Sequence, residues 1–376
     1  MDVEFLSVLL CIVVQCRAYM SYTGRIGVSY AQGMRMSGAS EAGASSATEA
    51  VPTGAALTMI RKNKIKEVEQ LRKAMEVDPK SAPALERLTK FMQTRSIAGM
   101  DYFMGKHEDF FEAMSNRHIT LNVAAEYNKK SETGFIMGIP GPEIMGGVLR
   151  DSGAKCIIVA MDKRTGGTSV NEFARFIHEQ QRAHSFNPGP IPVVWHEFVV
   201  DFLQIDYAAA NGAAAITLSP EVNHGDVSEQ IAYCKTVNIE PLVMCRSKND
   251  IDMALSGGAR CLVLHGTDEK AQIKLRDQYP ATHAGAFPTV LWGARLRATS
   301  EFSGIEEIDA SWALRDAGFN FVWPTCDSLY CMGMVDVYST VQAMKSKAAK
   351  DFISPRQFMM DRKKEGAKEH LGDLAM

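Results

Sequence analysis

Residues 191–218 read IPVVWHEFVVDFLQIDYAAANGAAAITL, and this stretch decides the fold. Ile191–Trp195 is a short apolar run rich in β-branched residues, which is typical of a strand buried on both faces. Phe202–Ala210 carries apolar residues at helical spacing, and Gly212 marks the end of that helix. A second apolar run, Ala213–Leu218, follows at once. The stretch therefore predicts a strand, a helix and a second strand parallel to the first.

The same alternation of strand-like and helical segments continues along the chain. Eight strand-like runs alternate with helical patterns, which predicts an α/β fold built as a parallel barrel. The expected strands are residues 119–125, 155–160, 191–195, 213–218, 239–245, 260–265, 287–292 and 319–323. In such barrels the reacting groups lie at the carboxyl ends of the strands, so the residues after each run are candidate site residues.

Length and composition indicate one barrel with additions at both ends. The chain has 376 residues, whereas a barrel of this type needs about 250. Hydrophobic residues make up 46% and charged residues 23%, and a net charge of −3 gives no reason to expect nucleic-acid binding. The eight cysteines include no CxxC pair. The sequence also has no dinucleotide fingerprint and no Walker-type phosphate loop, so we expect no metal site and no cofactor.

The N-terminal addition has the composition of a targeting segment. Residues 5–14, FLSVLLCIVV, are uncharged and suit the apolar part of a signal peptide, and residues 15–56 are rich in Ser, Ala, Gly and Met. A signal-like run followed by a transit-like run predicts that residues 1–56 are a presequence for a plastid inside extra membranes. The alternative is a disordered tail behind a wrongly chosen start codon, which Asp2 and Glu4 favour.

Helices are expected on both sides of the barrel. One face of the first helix carries the apolar residues Ile60, Ile65, Val68 and Leu71. Asp78 and Pro79 break the chain before a second helix near Ala84–Met92, so residues 57–117 form an N-terminal helical region and residues 118–345 the barrel. The extension 346–376 is basic, and it predicts either a helix that covers the barrel or a docking tail for an acidic partner protein or a membrane surface.

The central stretch resembles the third-strand region of the indole-3-glycerol-phosphate synthases, whose pattern there is VLxKDFIxDxxQIxxAxxxGADAILL. Residues 239–268, IEPLVMCRSKNDIDMALSGGARCLVLHGTD, are similar to the family's fifth strand, fifth helix and sixth strand. Residues 152–167 are similar to its second strand. The resemblance covers residues 57–345 and implies a (β/α)8 TIM barrel with extra N-terminal helices. The activity it implies is the carboxy-lyase reaction that closes the indole ring in tryptophan biosynthesis.

The resemblance also implies catalytic positions, and most of them are changed here. Glu126 matches the family glutamate on the first strand, but Asn128 stands where the family has a lysine that holds the substrate carboxylate. His196 replaces the general-acid lysine of the third strand, and a histidine titrates near neutrality and could donate a proton. Met244 replaces the glutamate base of the fifth strand and has no titratable proton.

The later strands depart from the family in the same way. His265 stands at an asparagine position of the sixth strand. Trp292 aligns with the seventh-strand glutamate, which would place an indole in the mouth of the barrel. Gly293, Thr325 and Asp327 fall at the positions that bind the substrate phosphate. Asp327 brings a negative charge to the place where a phosphate would sit, although Arg295 and Arg297 nearby could compensate for it.

Three interpretations remain open from the sequence. The favoured one is a degenerate synthase that serves as a structural or regulatory subunit, because removing one acid–base group costs about 10²–10⁴-fold in rate and several are replaced. The second is a divergent lyase or isomerase in which Glu126, His196 and His265 form a new acid–base or metal site. The third is an active synthase whose strand ends align differently. Only the last two require a small-molecule substrate.

Overall fold

Two helices precede the barrel, as expected. They are α1 (Gly54–Val77) and α2 (Pro83–Ala98), with Asp78 and Pro79 between them. The computed structural model describes residues 54–98, 109–115, 121–131, 134–135, 139–163, 166–223, 227–265, 268–279, 290–296, 303–330 and 334–345. Helix α1 thus includes the last three residues assigned to the presequence. Residues 1–53 and the C-terminal extension 346–376 lie outside the described residues.

Among the described residues, eight parallel strands close into a barrel. The strands in chain order are β1 (Asn122–Tyr127), β2 (Lys130–Ser131), β3 (Gly134–Phe135), β4 (Cys156–Ala160), β5 (Val193–His196), β6 (Ala215–Leu218), β7 (Glu240–Cys245), β8 (Cys261–Leu264), β9 (Leu291–Arg295) and β10 (Phe321–Trp323). The order around the barrel is β1-β10-β9-β8-β7-β6-β5-β4, and β2 and β3 form a separate antiparallel pair. The predicted parallel barrel is confirmed.

Helices surround the barrel, and the central stretch shows how the sequence determines where a helix begins and ends. The helices after α2 are α3 (Phe110–Ser115), α4 (Pro142–Asp151), α5 (Val170–Arg182), α6 (Phe202–Ala210), α7 (Ser228–Thr236), α8 (Lys248–Ser256), α9 (Glu269–Arg276), α10 (Ser303–Asp316), α11 (Cys326–Tyr330) and α12 (Met334–Lys345). Helix α6 begins with a capping box between Asp201 and Gln204, which satisfies backbone N–H groups of its first turn. It is followed by Gly212 with a φ of 90°, a conformation that favours glycine.

The seventh barrel strand differs from its expected range. Strand β9 runs over Leu291–Arg295, whereas residues 287–292 were expected. The apolar run that suggested the earlier range contains Pro288, which cannot donate to a sheet ladder. Gly293 and Arg295 do not resemble strand residues in the sequence, but both pair with β10. This shift changes which side chains point into the barrel.

The interior of the barrel is an apolar cluster separate from the layer between strands and helices. It includes Ala124, Ile158, Val194, Leu242, Val263, Leu291 and Phe321. Helix α3, at the end of the predicted N-terminal helical region, packs against this cluster: the Phe110 ring lies 6.2 Å from the Phe321 ring in an edge-to-face contact. Asn122 Nδ2, at the start of β1, donates to the Met114 carbonyl at 2.8 Å. Helix α3 therefore closes the amino-terminal end and leaves the carboxyl end as the mouth of the barrel.

The structure bears on two further features of the sequence. Cys156, Cys245 and Cys261 lie within strands and are buried free thiols. Within the ranges that the structure describes, no helix is both long enough and apolar enough to cross a bilayer. The apolar run 5–14 is not part of those ranges.

Candidate functional site

Glu126 is at the centre of the polar groups in the mouth of the barrel. Its side chain lies near the end of β1 and is only 1% exposed. Its Oε2 accepts a hydrogen bond from Trp323 Nε1 at 2.7 Å and forms an ion pair with Arg295. These partners lie on β10 and β9, so all three side chains point into the barrel. We call Glu126, His196, Arg295 and Trp323 the mouth cluster.

The charge of Glu126 is balanced within the mouth cluster. Burial alone would raise the pKa of this carboxyl group, but the Arg295 guanidinium holds the pKa below its ordinary value. Asn128 Nδ2 donates to the other carboxylate oxygen at 3.0 Å. The guanidinium carbon of Arg295 also lies 4.4 Å from the centre of the Trp323 ring, a cation–π contact. Glu126 is therefore a paired carboxylate whose oxygens already accept hydrogen bonds.

His196 completes the mouth cluster from the opposite side of the barrel. Its ring lies 4.8 Å from the Trp323 ring, nearly perpendicular to it, although β5 and β10 are not neighbours. Nδ1 is 2.9 Å from Thr217 Oγ1. Burial lowers the pKa of His196 to about 4 against the opposing charge of Glu126, while Arg295 has a weaker lowering effect and Asp162 a weaker raising effect. This lowered pKa runs against the expectation that His196 titrates near neutrality, and its physical cause is the partial burial of the ring.

The two other substituted positions near the first and fifth strands have structural roles. Besides its bond to Glu126, Asn128 accepts a hydrogen bond from the Lys130 backbone N–H at 2.9 Å. Met244 packs against the interior apolar cluster, as its residue type suggested. Lys129, the nearest lysine in the chain to the lost first-strand lysine, forms an ion pair with Glu172 on α5. Its ammonium group thus does not replace the lost lysine in the mouth.

His265 belongs to a different polar group. Its Nδ1 accepts hydrogen bonds from Arg246 Nε and Nη2, each at 3.2 Å, and Arg246 Nη1 donates to Glu221 at 2.9 Å. Glu126 and His196 lie together in the mouth cluster, whereas His265 is held by Arg246. In the part of the chain that the structure describes, no group of three His, Cys, Asp or Glu residues could hold a metal ion. The proposed site of Glu126, His196 and His265 is therefore not assembled as one unit.

Trp292 does not occupy the mouth, so that expectation is wrong. Its side chain belongs to the layer between strands and helices, and its ring lies 5.6 Å from the Tyr279 ring. Because side chains alternate along a strand, Leu291, Gly293 and Arg295 face inward instead. A Cβ atom on Gly293 would lie 2.2 Å from the Phe321 ring, which makes this glycine a packing residue. The indole that fills the mouth is that of Trp323.

The expected phosphate positions are used for internal contacts where the structure describes them. Thr325 is buried, and its Oγ1 donates to Glu307 Oε1 at 2.6 Å. The Thr325 backbone N–H also donates to Glu307 Oε2 at 3.2 Å. Glu307 itself is 1% exposed. A buried carboxylate thus accepts the hydrogen bonds of Thr325, while the side chain of Asp327 lies outside the described residues.

Two residues near the strand ends, Trp323 and Lys64, were not singled out from the sequence, and Arg295 was named only as a residue that could compensate the charge of Asp327. No local sequence pattern indicates that Trp323 and Arg295 meet at Glu126, and Arg297 lies outside the described residues. Lys64 lies on α1, yet it forms ion pairs with Asp162 and Glu197 just after β4 and β5. No local pattern could have identified Lys64, because its partners lie about a hundred residues away or more.

Two curated proteins match parts of the chain. The indole-3-glycerol phosphate synthase of Methanocaldococcus jannaschii is 38% identical over 80 residues, which cover 21% of this chain and 30% of that protein. The indole-3-glycerol phosphate synthase of Methanothermobacter marburgensis is 30% identical over 153 residues, or 41% of this chain and 51% of that protein. The matches thus span about a third and about half of the length of these relatives. No protein-family model matches the chain.

Solved structures show a weaker likeness. One described as "Native KDPGal structure" is 14% identical, covers 62% of this chain and 96% of that chain, and has a TM-score of 0.44. A likeness this slight supports no inference about function. The sequence matches support a divergent resemblance to the indole-3-glycerol phosphate synthases over part of the chain, and the closed parallel barrel shows a (β/α)8 fold.

Proposed function

We propose that this chain is a non-catalytic relative of the synthases that acts as a structural or regulatory subunit. The observation that supports this proposal most strongly is the mouth cluster, in which the carboxylate of Glu126 forms an ion pair with Arg295 and accepts a hydrogen bond from Trp323. Glu126 is the residue here that matches a catalytic residue of the synthases. Because the lone pairs of its carboxylate are committed to protein donors, it has lost the freedom to serve a substrate.

The chain also lacks the other acid–base groups that the synthase reaction needs. The reaction forms a carbon–carbon bond and then loses carbon dioxide and water, so it needs proton donors and a base. The positions of the two lysines are taken by Asn128 and His196, and the base position by Met244. With a pKa of about 4, His196 is a neutral imidazole at neutral pH and lacks the acidic proton of an imidazolium. The Thr325 donors are satisfied by Glu307 rather than left for a phosphate.

A divergent lyase or isomerase is the second candidate, and the structure favours it less. It would draw on Glu126 and His196, which do lie in one cluster. Both are deprotonated at neutral pH, so the pair supplies no general acid. His265 is held by Arg246 and does not complete the arrangement.

The experiment that tests the proposal is a turnover and binding assay on the full chain. The purified protein is given the carboxyphenylamino-deoxyribulose phosphate substrate, and indole-glycerol phosphate is followed by its fluorescence. We expect no turnover, and we expect no heat of substrate binding in calorimetry. Turnover at the rate of an ordinary synthase would refute the proposal. Binding without turnover would favour the divergent enzyme.

The cellular site and the partner are parts of the same proposal. The presequence composition of residues 1–56 supports a plastid location, and the basic extension 346–376 supports docking to an acidic protein or a membrane surface. We expect the full chain with a C-terminal fluorescent protein to co-localise with the plastid, and deletion of residues 1–56 to abolish this. Truncation after Lys350 should reduce the size of the native complex. An unchanged complex size and unchanged membrane association would exclude the tail as the docking segment.

A further inference from the structure

Lys64 connects the N-terminal helix to the rim of the barrel mouth. Its Nζ lies 2.6 Å from Asp162 Oδ2 and 2.8 Å from Glu197 Oε1. Asp162 follows β4 and Glu197 follows β5, so one ammonium group bridges the ends of two neighbouring strands. A third carboxylate, Glu67 on α1 itself, lies at 2.8 Å. A contact at the middle of helix α1 therefore binds this helix to the carboxyl end of the barrel.

This contact is buried, so the loss of either partner is costly. Lys64 is 2% exposed and Asp162 is 6% exposed. Burial by itself would lower the pKa of Lys64, but the charges of Glu197 and Asp162 raise the pKa above its ordinary value. A buried ion pair is costly to break on one side, because the partner is left charged and without water. The ion pair therefore holds only while α1 stays in place.

Helix α1 also contacts the rest of the barrel through residues other than Lys64. Arg72 forms an ion pair with Asp201 at 2.7 Å, but more than half of the Arg72 side chain is exposed. Exposed ion pairs of this kind contribute little. Val68 and Leu71 pack with Leu203 on α6 and give the second half of the helix an apolar attachment. Lys64 is thus the ion-paired contact that joins the middle of the helix to the ends of β4 and β5.

A chain of contacts leads from Lys64 to the mouth cluster. The Glu197 backbone N–H donates to Thr217 Oγ1 at 3.2 Å, and the same oxygen is 2.9 Å from His196 Nδ1. His196 in turn packs against Trp323. A movement of Glu197 would change the hydrogen bond that orients the His196 ring.

We propose that helix α1 is a cover on the rim of the barrel mouth, that Lys64 is its latch, and that the latched position sets the environment of His196. The latch closes when the ammonium enters between Asp162 and Glu197, and it opens when α1 lifts and both carboxylates return to water. This device is independent of whether the barrel turns over any substrate, so its test and the turnover assay can fail separately.

The test compares Lys64→Met with the matched control Arg72→Met in the full chain. Met keeps much of the length and apolar volume of lysine but removes the charge. We expect amide hydrogen exchange in residues 57–71 to become about 100-fold faster in Lys64→Met, while strands β4–β6 keep their protection. Arg72→Met should change exchange in the same residues by less than about threefold, because its ion pair is exposed.

A second readout reports on the coupling to His196. Asp162, Glu126 and Arg295 are the charged groups that act on this ring. Without the Lys64 ammonium, Asp162 and Glu197 are uncompensated, so the pKa of His196 measured by NMR should rise by about one unit or more in Lys64→Met. It should stay near the wild-type value in Arg72→Met. Unchanged exchange or an unchanged His196 titration in Lys64→Met would overturn the proposal.

The wild-type protein provides a test that needs no variant. In low concentrations of denaturant, a separate cover exchanges its amides through an opening smaller than global unfolding. If residues 57–71 exchange only with global unfolding, α1 is a fixed part of the barrel and the proposal is wrong. This measurement decides the question even where Lys64→Met fails to fold.

Discussion

Arg295 changes the chemistry of the barrel mouth because it forms an ion pair with Glu126. The two side chains come from positions 169 residues apart and form a buried ion pair. Removing one partner of such a pair leaves a buried charge without compensation. The stability of the whole barrel therefore depends on a pair placed where an enzyme would keep its reacting groups.

The first prediction concerns this pair. Arg295→Met should lower the free energy of unfolding by about 3–5 kcal/mol, because Glu126 remains buried and charged without its guanidinium. The double variant Glu126→Gln with Arg295→Met should recover part of the loss, since the uncompensated charge is gone. Urea unfolding at pH 7 measures both. A double variant less stable than Arg295→Met alone would contradict the account.

The second prediction concerns the pH dependence that His196 contributes. Its folded pKa of about 4 lies below the ordinary value of 6.5, so the unfolded chain takes up the proton first as the pH falls. The contribution of this group is fully present above pH 6.5 and is lost between about pH 6.5 and pH 4. The loss over that window is on the order of 3 kcal/mol.

The measurement is urea unfolding at a series of pH values for the wild type and His196→Gln. Glutamine can keep a hydrogen bond to Thr217 but does not titrate. We therefore expect a flatter pH dependence of stability in His196→Gln. Parallel curves for the two proteins would show that the folded pKa of His196 is not depressed.

Individual residues could be placed from the sequence, but their partners could not. Glu126, His196 and Met244 all lie at the ends of the strands to which the sequence assigned them. The hydrogen bond between Glu126 and Trp323 joins residues 197 positions apart, and no local sequence pattern near either residue indicates this contact. The error at Trp292 arose because the resemblance aligned this residue with the glutamate at the end of the seventh strand, whereas the strand continues to Arg295, whose side chain faces inward.

At the scale of elements, strands β9 and β10 pack closely inside the barrel. Gly293 pairs with Phe321, and the absence of a side chain on Gly293 leaves room for the Phe321 ring. The third prediction is that Gly293→Ala lowers the free energy of unfolding by about 1–3 kcal/mol, because a Cβ atom would lie 2.2 Å from that ring.

The matched control for this variant is Gly189→Ala. A Cβ atom on Gly189 would meet nothing within 4 Å, so this change should leave stability nearly unchanged. Phe321→Leu in the Gly293→Ala background should restore part of the loss by making space. Equal stability of the two alanine variants, measured by thermal unfolding, would refute the packing role of Gly293.

The apolar periodicity of the sequence predicts helix α1 correctly, but it does not predict all of the residues on the buried face of this helix. The helix and its apolar residues Val68 and Leu71 are confirmed. Ile65, which was assigned to the same face, is 40% exposed, whereas its neighbour Lys64 is buried. A search for apolar repeats cannot find a buried lysine, because the reason for its burial is the pair of carboxylates on other strands.

At the scale of the whole molecule, the mouth is built from strands on all sides of the barrel. This leads to the fourth prediction: restoring the family residues by Asn128→Lys, His196→Lys and Met244→Glu together does not restore synthase turnover. Arg295 and Trp323 still occupy the carboxylate of Glu126 in that variant. Indole-glycerol phosphate fluorescence measures the outcome, with circular dichroism as the check that the variant is folded. Turnover in the folded variant would show that the mouth cluster does not block the chemistry.

The sequence by itself determined the elements of this protein and their order. Apolar runs, helical spacing and residues such as Gly212 act through neighbours a few positions away, so the alternating strands and helices, the parallel barrel and the family resemblance can all be read from them. Only the tertiary structure decided that Arg295 and Trp323 bind Glu126, that Trp292 faces outward, and that Lys64 reaches the rim. These contacts join residues from about a hundred to about two hundred positions apart, and they exist only after the barrel has closed.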